Sequence, residues 1–152
     1  MTLKSNGILR TFCFAATLLM TASAGAHTDT ANTQLTVVSG KTLEDGSAFA
    51  NAEVERGTED GVAYAQRLFN STNDSKLMTG IYEAAPTSMM IESYPGDEFM
   101  YFITGSGTLT DKSGKVTKFG PGEGVFMPKG WSGKWESTAY RKYFVYYRPD
   151  AD

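Results

Sequence analysis

Glu98 lies in the stretch YPGDEFMYFITGSGTLT, Tyr94 to Thr110. With a two-residue period, Glu98, Met100 and Phe102 share one face, and Phe99, Tyr101 and Ile103 share the other. Both faces are apolar apart from the glutamate, the pattern of a strand covered on both sides. A carboxylate there is costly unless it has a partner or a chemical task. Glu92 and Tyr94 stand just upstream with the same even parity, although the YPGD turn intervenes. Two carboxylates facing one pocket repel each other and raise one pKa toward neutrality, which suits proton transfer. In that reading Glu98 or Glu92 is the catalytic base and Tyr94 or Lys134 the acid. In the structural alternative, Glu98 accepts from a tyrosine or a backbone amide, or pairs with Lys134, Arg141 or Lys142. Two carboxylates and a tyrosine make only a weak oxygen site for a divalent cation. No metal or other cofactor is therefore expected.

Aromatic residues supply a second kind of chemistry. Tyr82, Tyr94, Trp131, Trp135, Tyr140 and Tyr143 could floor a pocket for a sugar or another flat ligand, although strand aromatics mostly pack cores. Trp131 and Trp135 stand out because GWSGKW has the glycines of a movable loop. The candidate ligand-binding set is Trp131, Trp135, Lys134, Tyr82 and Arg141. Arg141 and Lys142 are adjacent in the last strand, so one of them faces inward. That residue could neutralise Glu98 or hold an anionic ligand.

These residues need strands to position them. From Leu77 onward, runs rich in β-branched and aromatic residues alternate with turn signals: LMTGIYEA, TSMMIESY, EFMYFITG, GTLTD, KVTKFG, GVFMPKG, GKWESTA and YRKYFVYYR. DKSG is a tight hairpin turn. No long helical period interrupts the pattern, so an all-β sandwich or barrel is predicted. Upstream, LTVVSG suggests an edge strand, VAYAQRLFN fits a strand or a short helix, and NST with NDSK marks a turn. YFVYY, Tyr143 to Tyr147, offers an apolar edge through which a homodimer could form.

The first 26 residues have the features of a cleaved signal peptide. Lys4 and Arg10 precede the apolar run TFCFAATLLMTASA, and AGA ends it at Ala26. A flexible arm over 27–34 follows, and 149–152 form a tail. Cleavage would remove the only cysteine, Cys13, and leave 12 basic against 17 acidic residues. That balance argues against nucleic acid or an anionic membrane as partner. Loss of the thiol excludes cysteine catalysis and suits a periplasmic or secreted location. A small molecule is the expected partner.

Two spacings point to a family. Glu98 is followed by Gly105, and GEGVFMPKG carries Gly122, Pro128 and Gly130. Together with TGIYEAAP and YRKYFVYY, these phrases resemble the cupin superfamily over Leu35 to Arg148. In finer texture they resemble the ureidoglycine aminohydrolase cupin domains. The resemblance implies a single cupin jelly-roll barrel (double-stranded β-helix) spanning 35–148, with Glu92 and Glu98 facing its interior. Most catalytic cupins hold a divalent metal with three histidines and the first-motif glutamate. The first histidine pair would map to Glu92 and Tyr94, and the last histidine to Gly133. This chain has one histidine, His27, outside the strands. The resemblance thus implies a metal-free cupin that binds a small polar or carbohydrate-like ligand, with Trp131 and Trp135 beside the vacated metal position. Two alternatives remain open: a metal-free aminohydrolase, lyase or isomerase, and a structural, dimerising module.

Overall fold

The computed structural model describes residues 35, 37–50 and 53–150. The expected signal peptide and flexible arm lie outside the described residues. A short helix α1 (Gly40–Glu44) and a 3-10 turn (Ser47–Phe49) precede ten strands. These are β1 (Glu55–Glu59), β2 (Val62–Ser71), β3 (Leu77–Ala84), β4 (Thr87–Ile91), β5 (Asp97–Thr104), β6 (Gly107–Asp111), β7 (Val116–Phe119), β8 (Gly124–Met127), β9 (Gly133–Ser137) and β10 (Tyr140–Tyr147). They form a six-stranded sheet, β1-β2-β3-β10-β5-β8, and a four-stranded sheet, β4-β9-β6-β7. From β3 onward the chain passes repeatedly between the sheets, and all neighbouring strands are antiparallel. This is the jelly-roll arrangement.

Turn chemistry fixes the hairpins. The β6–β7 turn closes at Gly114, whose φ of 85° suits glycine, while Asp111 Oδ1 accepts from the Ser113 and Lys115 amides. Asp60 and Gly61 join β1 to β2 with φ of 49° and 82°, the paired positive angles of a two-residue hairpin turn. VAYAQRLFN therefore lies wholly in a strand. LTVVSG does not form the expected edge strand. Its described residues carry no strand, Leu35 and Val37 are almost fully exposed, and Ser39 caps α1. YFVYY is not an edge either, because β10 pairs with β3 on one side and β5 on the other.

Side chains of even number on β5 and β10 point between the sheets. Met100 and Phe102 are fully buried there, and Tyr140, Lys142, Phe144 and Tyr146 alternate with less buried neighbours. Phe102 stacks on Phe119, and Trp135 and Tyr140 pack against them at tilted and edge angles, filling one end of the interior. The opposite face of β5 is not covered along its length as expected. A cap of α1 and the 3-10 turn packs Phe49, Ala48 and Leu43 over Ile81, Phe69 and Ile103. Arg67 donates to the Ala48 carbonyl, Arg56 to the Phe49 carbonyl, and Arg141 to those of Leu43 and Glu44, which pins this cap. Phe99 and Tyr101, farther along the strand, stay exposed.

Candidate functional site

The alternation of β5 carries Glu98 inward, and that of β10 carries Lys142 inward. Lys142 Nζ donates to Glu98 Oε1 at 2.7 Å, and the Tyr94 hydroxyl donates to Glu98 Oε2. Glu98 is 3%, Tyr94 5% and Lys142 6% exposed, so the three form a closed cluster between the sheets. The Lys142 ammonium also lies 5.4 Å from the Tyr82 ring centroid, 5.9 Å from Trp135 and 6.0 Å from Phe144. Aromatic faces stabilise a desolvated cation, and the carboxylate neutralises it. Burial drives the Tyr94 phenol well above its ordinary pKa, and the neighbouring Glu98 charge adds to the shift. Tyr94 thus stays a neutral donor.

The cluster is tied to the loop after β8. Tyr94 donates its amide to the Trp131 carbonyl at 2.8 Å, and its own carbonyl accepts from Gly130 at 2.7 Å. Gly130 adopts a φ of 81°, which turns the chain after Pro128 and brings Trp131 back toward β9. The Trp131 ring lies over Gly133, where a Cβ would stand 2.8 Å from it and 2.3 Å from the Thr110 carbonyl oxygen. Trp131 also lines a hollow of about 190 Å³ with Leu109, Asp111, Lys115, Thr117, Phe126 and their neighbours. The edge strands β7 and β8 both contribute to this opening.

The other sequence candidates separate. Glu92 is exposed and does not join Glu98 in the interior. Lys134 has the opposite parity from buried Trp135 and pairs outside with Glu136 at 2.6 Å. Trp135 and Tyr82 are core residues; the Trp135 indole donates to Ser137, and Tyr82 stacks on Tyr64. Arg141 faces away from the interior, where it pairs with Glu83 at 3.0 Å and lies over Phe49. Arg141 and Glu83 also border a hollow of about 440 Å³ with Arg56, Tyr64 and Tyr140, at the far end of β5. Lys142 is the central residue that the sequence left undecided. Aromatic residues flank both members of the Arg141–Lys142 pair at two-residue spacing, so parity alone did not choose between them.

Residues 72–144 match the family model of the EutQ-like cupin domain. The fold is that of a cupin domain. The EutQ protein of Clostridium difficile superposes with a TM-score of 0.51 at 23% identity, over 62% of this chain and 75% of its own. A DUF861-family protein of unknown function from Pseudomonas syringae pv. tomato gives 0.55 at 23% identity, over 62% of this chain and 44% of its own. The cupin thus spans less than half of that protein. A putative ethanolamine utilization protein Q from Salmonella typhimurium gives 0.50 at 20% identity, over 64% and 80%. At these identities the likeness is one of fold. A search of curated proteins returned no match.

A divalent metal does not fit the residues that this chain places where the cupin resemblance maps the metal ligands. Both Glu98 oxygens are engaged, the Tyr94 phenol is held neutral, and Glu92 is exposed. Gly133 offers no side chain, and Trp131 fills the space beside it. Among the described residues, no group of three His, Cys, Asp or Glu side chains could hold a metal ion. The positive charge beside Glu98 is the protein's own, on Lys142.

Proposed function

We propose that this cupin is an exported protein that binds a small polar, carbohydrate-like molecule against Trp131. The observation that carries the proposal is the Trp131 hollow, held open by a buried scaffold. An indole wall suits the apolar face of a sugar ring, while Lys115 and Thr117 supply hydrogen-bonding groups at the side. At about 190 Å³ the hollow is smaller than the roughly 300–1,000 Å³ of drug-sized sites, which limits the ligand to one ring or one end of a longer molecule. Tyr94 joins this wall to the Glu98–Lys142 pair, so the buried ions act as its foundation.

An aminohydrolase, lyase or isomerase reaction like that of the ureidoglycine enzymes would require Glu98 to meet a substrate. Its oxygens instead meet Lys142 and Tyr94 in a closed interior, which favours binding over acid–base chemistry. The N-terminal charge and apolar pattern support export, and N-terminal sequencing of the exported protein is expected to begin at His27. An uncut Met1 start would reject that part of the reading.

Binding is tested with a monosaccharide panel, read by melting temperature and tryptophan emission. At least one sugar is expected to raise the melting temperature and shift emission. Trp131→Ala should abolish both responses while the circular dichroism spectrum and a single cooperative urea transition are retained. A panel with no responder, or a response that survives Trp131→Ala, overturns the proposal.

A further inference from the structure

The second hollow, at the end of β5 remote from Glu98, follows one row of the six-stranded sheet. Strand pairing aligns Arg56 with Ala65, Ala65 with Glu83, Glu83 with Arg141, and Arg141 with Thr104. All five border the hollow of about 440 Å³. Ala63, Ala85 and Ala139 line it beyond this row, and such short side chains leave the space above them open. An extra β5 residue, Ile103, lies between the pairs Arg141–Thr104 and Lys142–Phe102. This β-bulge sets the even-numbered Thr104 beside outward-facing Arg141.

Two groups of opposite charge in the row are unspent. Arg56 donates once, from Nη2 to the Phe49 carbonyl at 3.2 Å, and its Nε and Nη1 meet no acceptor among the described residues. Glu83 accepts from Nε and Nη2 of Arg141 at 3.2 and 3.0 Å, both on Oε2. Its Oε1 meets no donor among the described residues. Arg141 gives its Nη1 to the Leu43 and Glu44 carbonyls, so it braces Glu83 against the cap and leaves Arg56 as the cation open to a ligand.

We propose that this hollow binds a free α-amino acid with a large apolar side chain. The Arg56 guanidinium matches the carboxylate, Glu83 Oε1 accepts from the ammonium, and the side chain lies on the alanines. A simple carboxylate would set its charge beside the unpaired Glu83 oxygen, and a simple amine beside Arg56. A zwitterion complements both. The volume falls within the roughly 300–1,000 Å³ of small-molecule sites, which suits a side chain the size of leucine, methionine or phenylalanine. The Trp131 hollow lies elsewhere, beside β7 and β8, so this binding does not depend on a sugar.

Isothermal titration calorimetry with L-leucine, L-methionine and L-phenylalanine tests this. At least one is expected to bind. Its analogues lacking the amine or the carboxylate, isocaproate and isoamylamine in the case of leucine, should bind at least about 10-fold more weakly, the worth of one charge-assisted hydrogen bond. Arg56→Gln should weaken binding by a similar factor. Ala63→Leu fills the hollow from an exposed position and removes no charge, so it should abolish binding with the circular dichroism spectrum retained. It keeps the test decisive if Arg56→Gln loosens the cap that Arg56 helps to pin. No binding by any of the three amino acids, an analogue that binds as tightly as its parent, or binding that survives either variant overturns the proposal.

Discussion

Lys142→Met is expected to destabilise the protein by about 3–5 kcal/mol, because it leaves the Glu98 charge buried with only Tyr94 as partner. Methionine preserves most of the stem, so lost packing contributes little. Removing both charges should behave differently. Lys142→Met/Glu98→Leu should regain most of the loss, since apolar residues of similar volume can replace a buried ion pair at little cost. A residual of about 1 kcal/mol should remain, because the Tyr94 hydroxyl then lacks its acceptor, and Tyr94→Phe should remove it. Urea unfolding of the parent and each variant, arranged as a double-mutant cycle, measures the coupling. A single-variant loss under about 1 kcal/mol, or a double variant no better than Lys142→Met, would show that the pair does not stabilise the interior as described.

That cycle bears on function as well as stability. Lys142 reaches from β10 to Trp135 on the opposite sheet, Glu98 anchors Tyr94, and Tyr94 fastens the loop that carries Trp131. Loss of one charge should therefore loosen the Trp131 wall before the sheets separate. A buried ion pair is weak evidence for net stability, but its directional bonds can fix how layers meet.

Much of this arrangement was legible in the sequence because period-two alternation is a strong constraint. The runs LMTGIYEA and GTLTD coincide with β3 and β6, and the inward set Glu98, Met100 and Phe102 follows from parity. The remainder depends on information that parity lacks. Alternation does not give strand order, so the aromatic run of β10 read as an edge although it lies between two partners. Parity also fails across a turn. Glu92 and Glu98 share it in number, but the chain reverses between them and leaves Glu92 outside. The β1–β2 hairpin did have a local signal, Asp60-Gly61, hidden in a polar stretch with little apolar alternation. The α1 cap had none, because arginine contacts with its carbonyls hold it in place and such contacts leave no periodic trace.

The buried tyrosines lead to an expected loss of stability in alkali. Burial raises the phenol pKa of Tyr82, Tyr94 and Tyr140 above the ordinary value, and the Glu98 charge adds to the effect in each. Unfolded tyrosine ionises near pH 10, whereas these three remain protonated in the fold. Their contribution is therefore fully present below about pH 10 and is lost as pH rises through the folded values. Each group costs about 1.4 kcal/mol per pH unit over that interval, so three give a slope near 4 kcal/mol per unit. Total stabilities of about 5–15 kcal/mol place unfolding within a few pH units above 10. Tyr82→Phe keeps the ring over Lys142 and removes one ionisation, so about a third of the slope should disappear. Urea midpoints at half-unit steps from pH 8 to pH 12, with tyrosinate absorbance alongside, make the measurement. Midpoints that stay level to pH 12, or tyrosines that all ionise near pH 10 in the folded protein, would mean that water reaches the interior and the cluster is not closed.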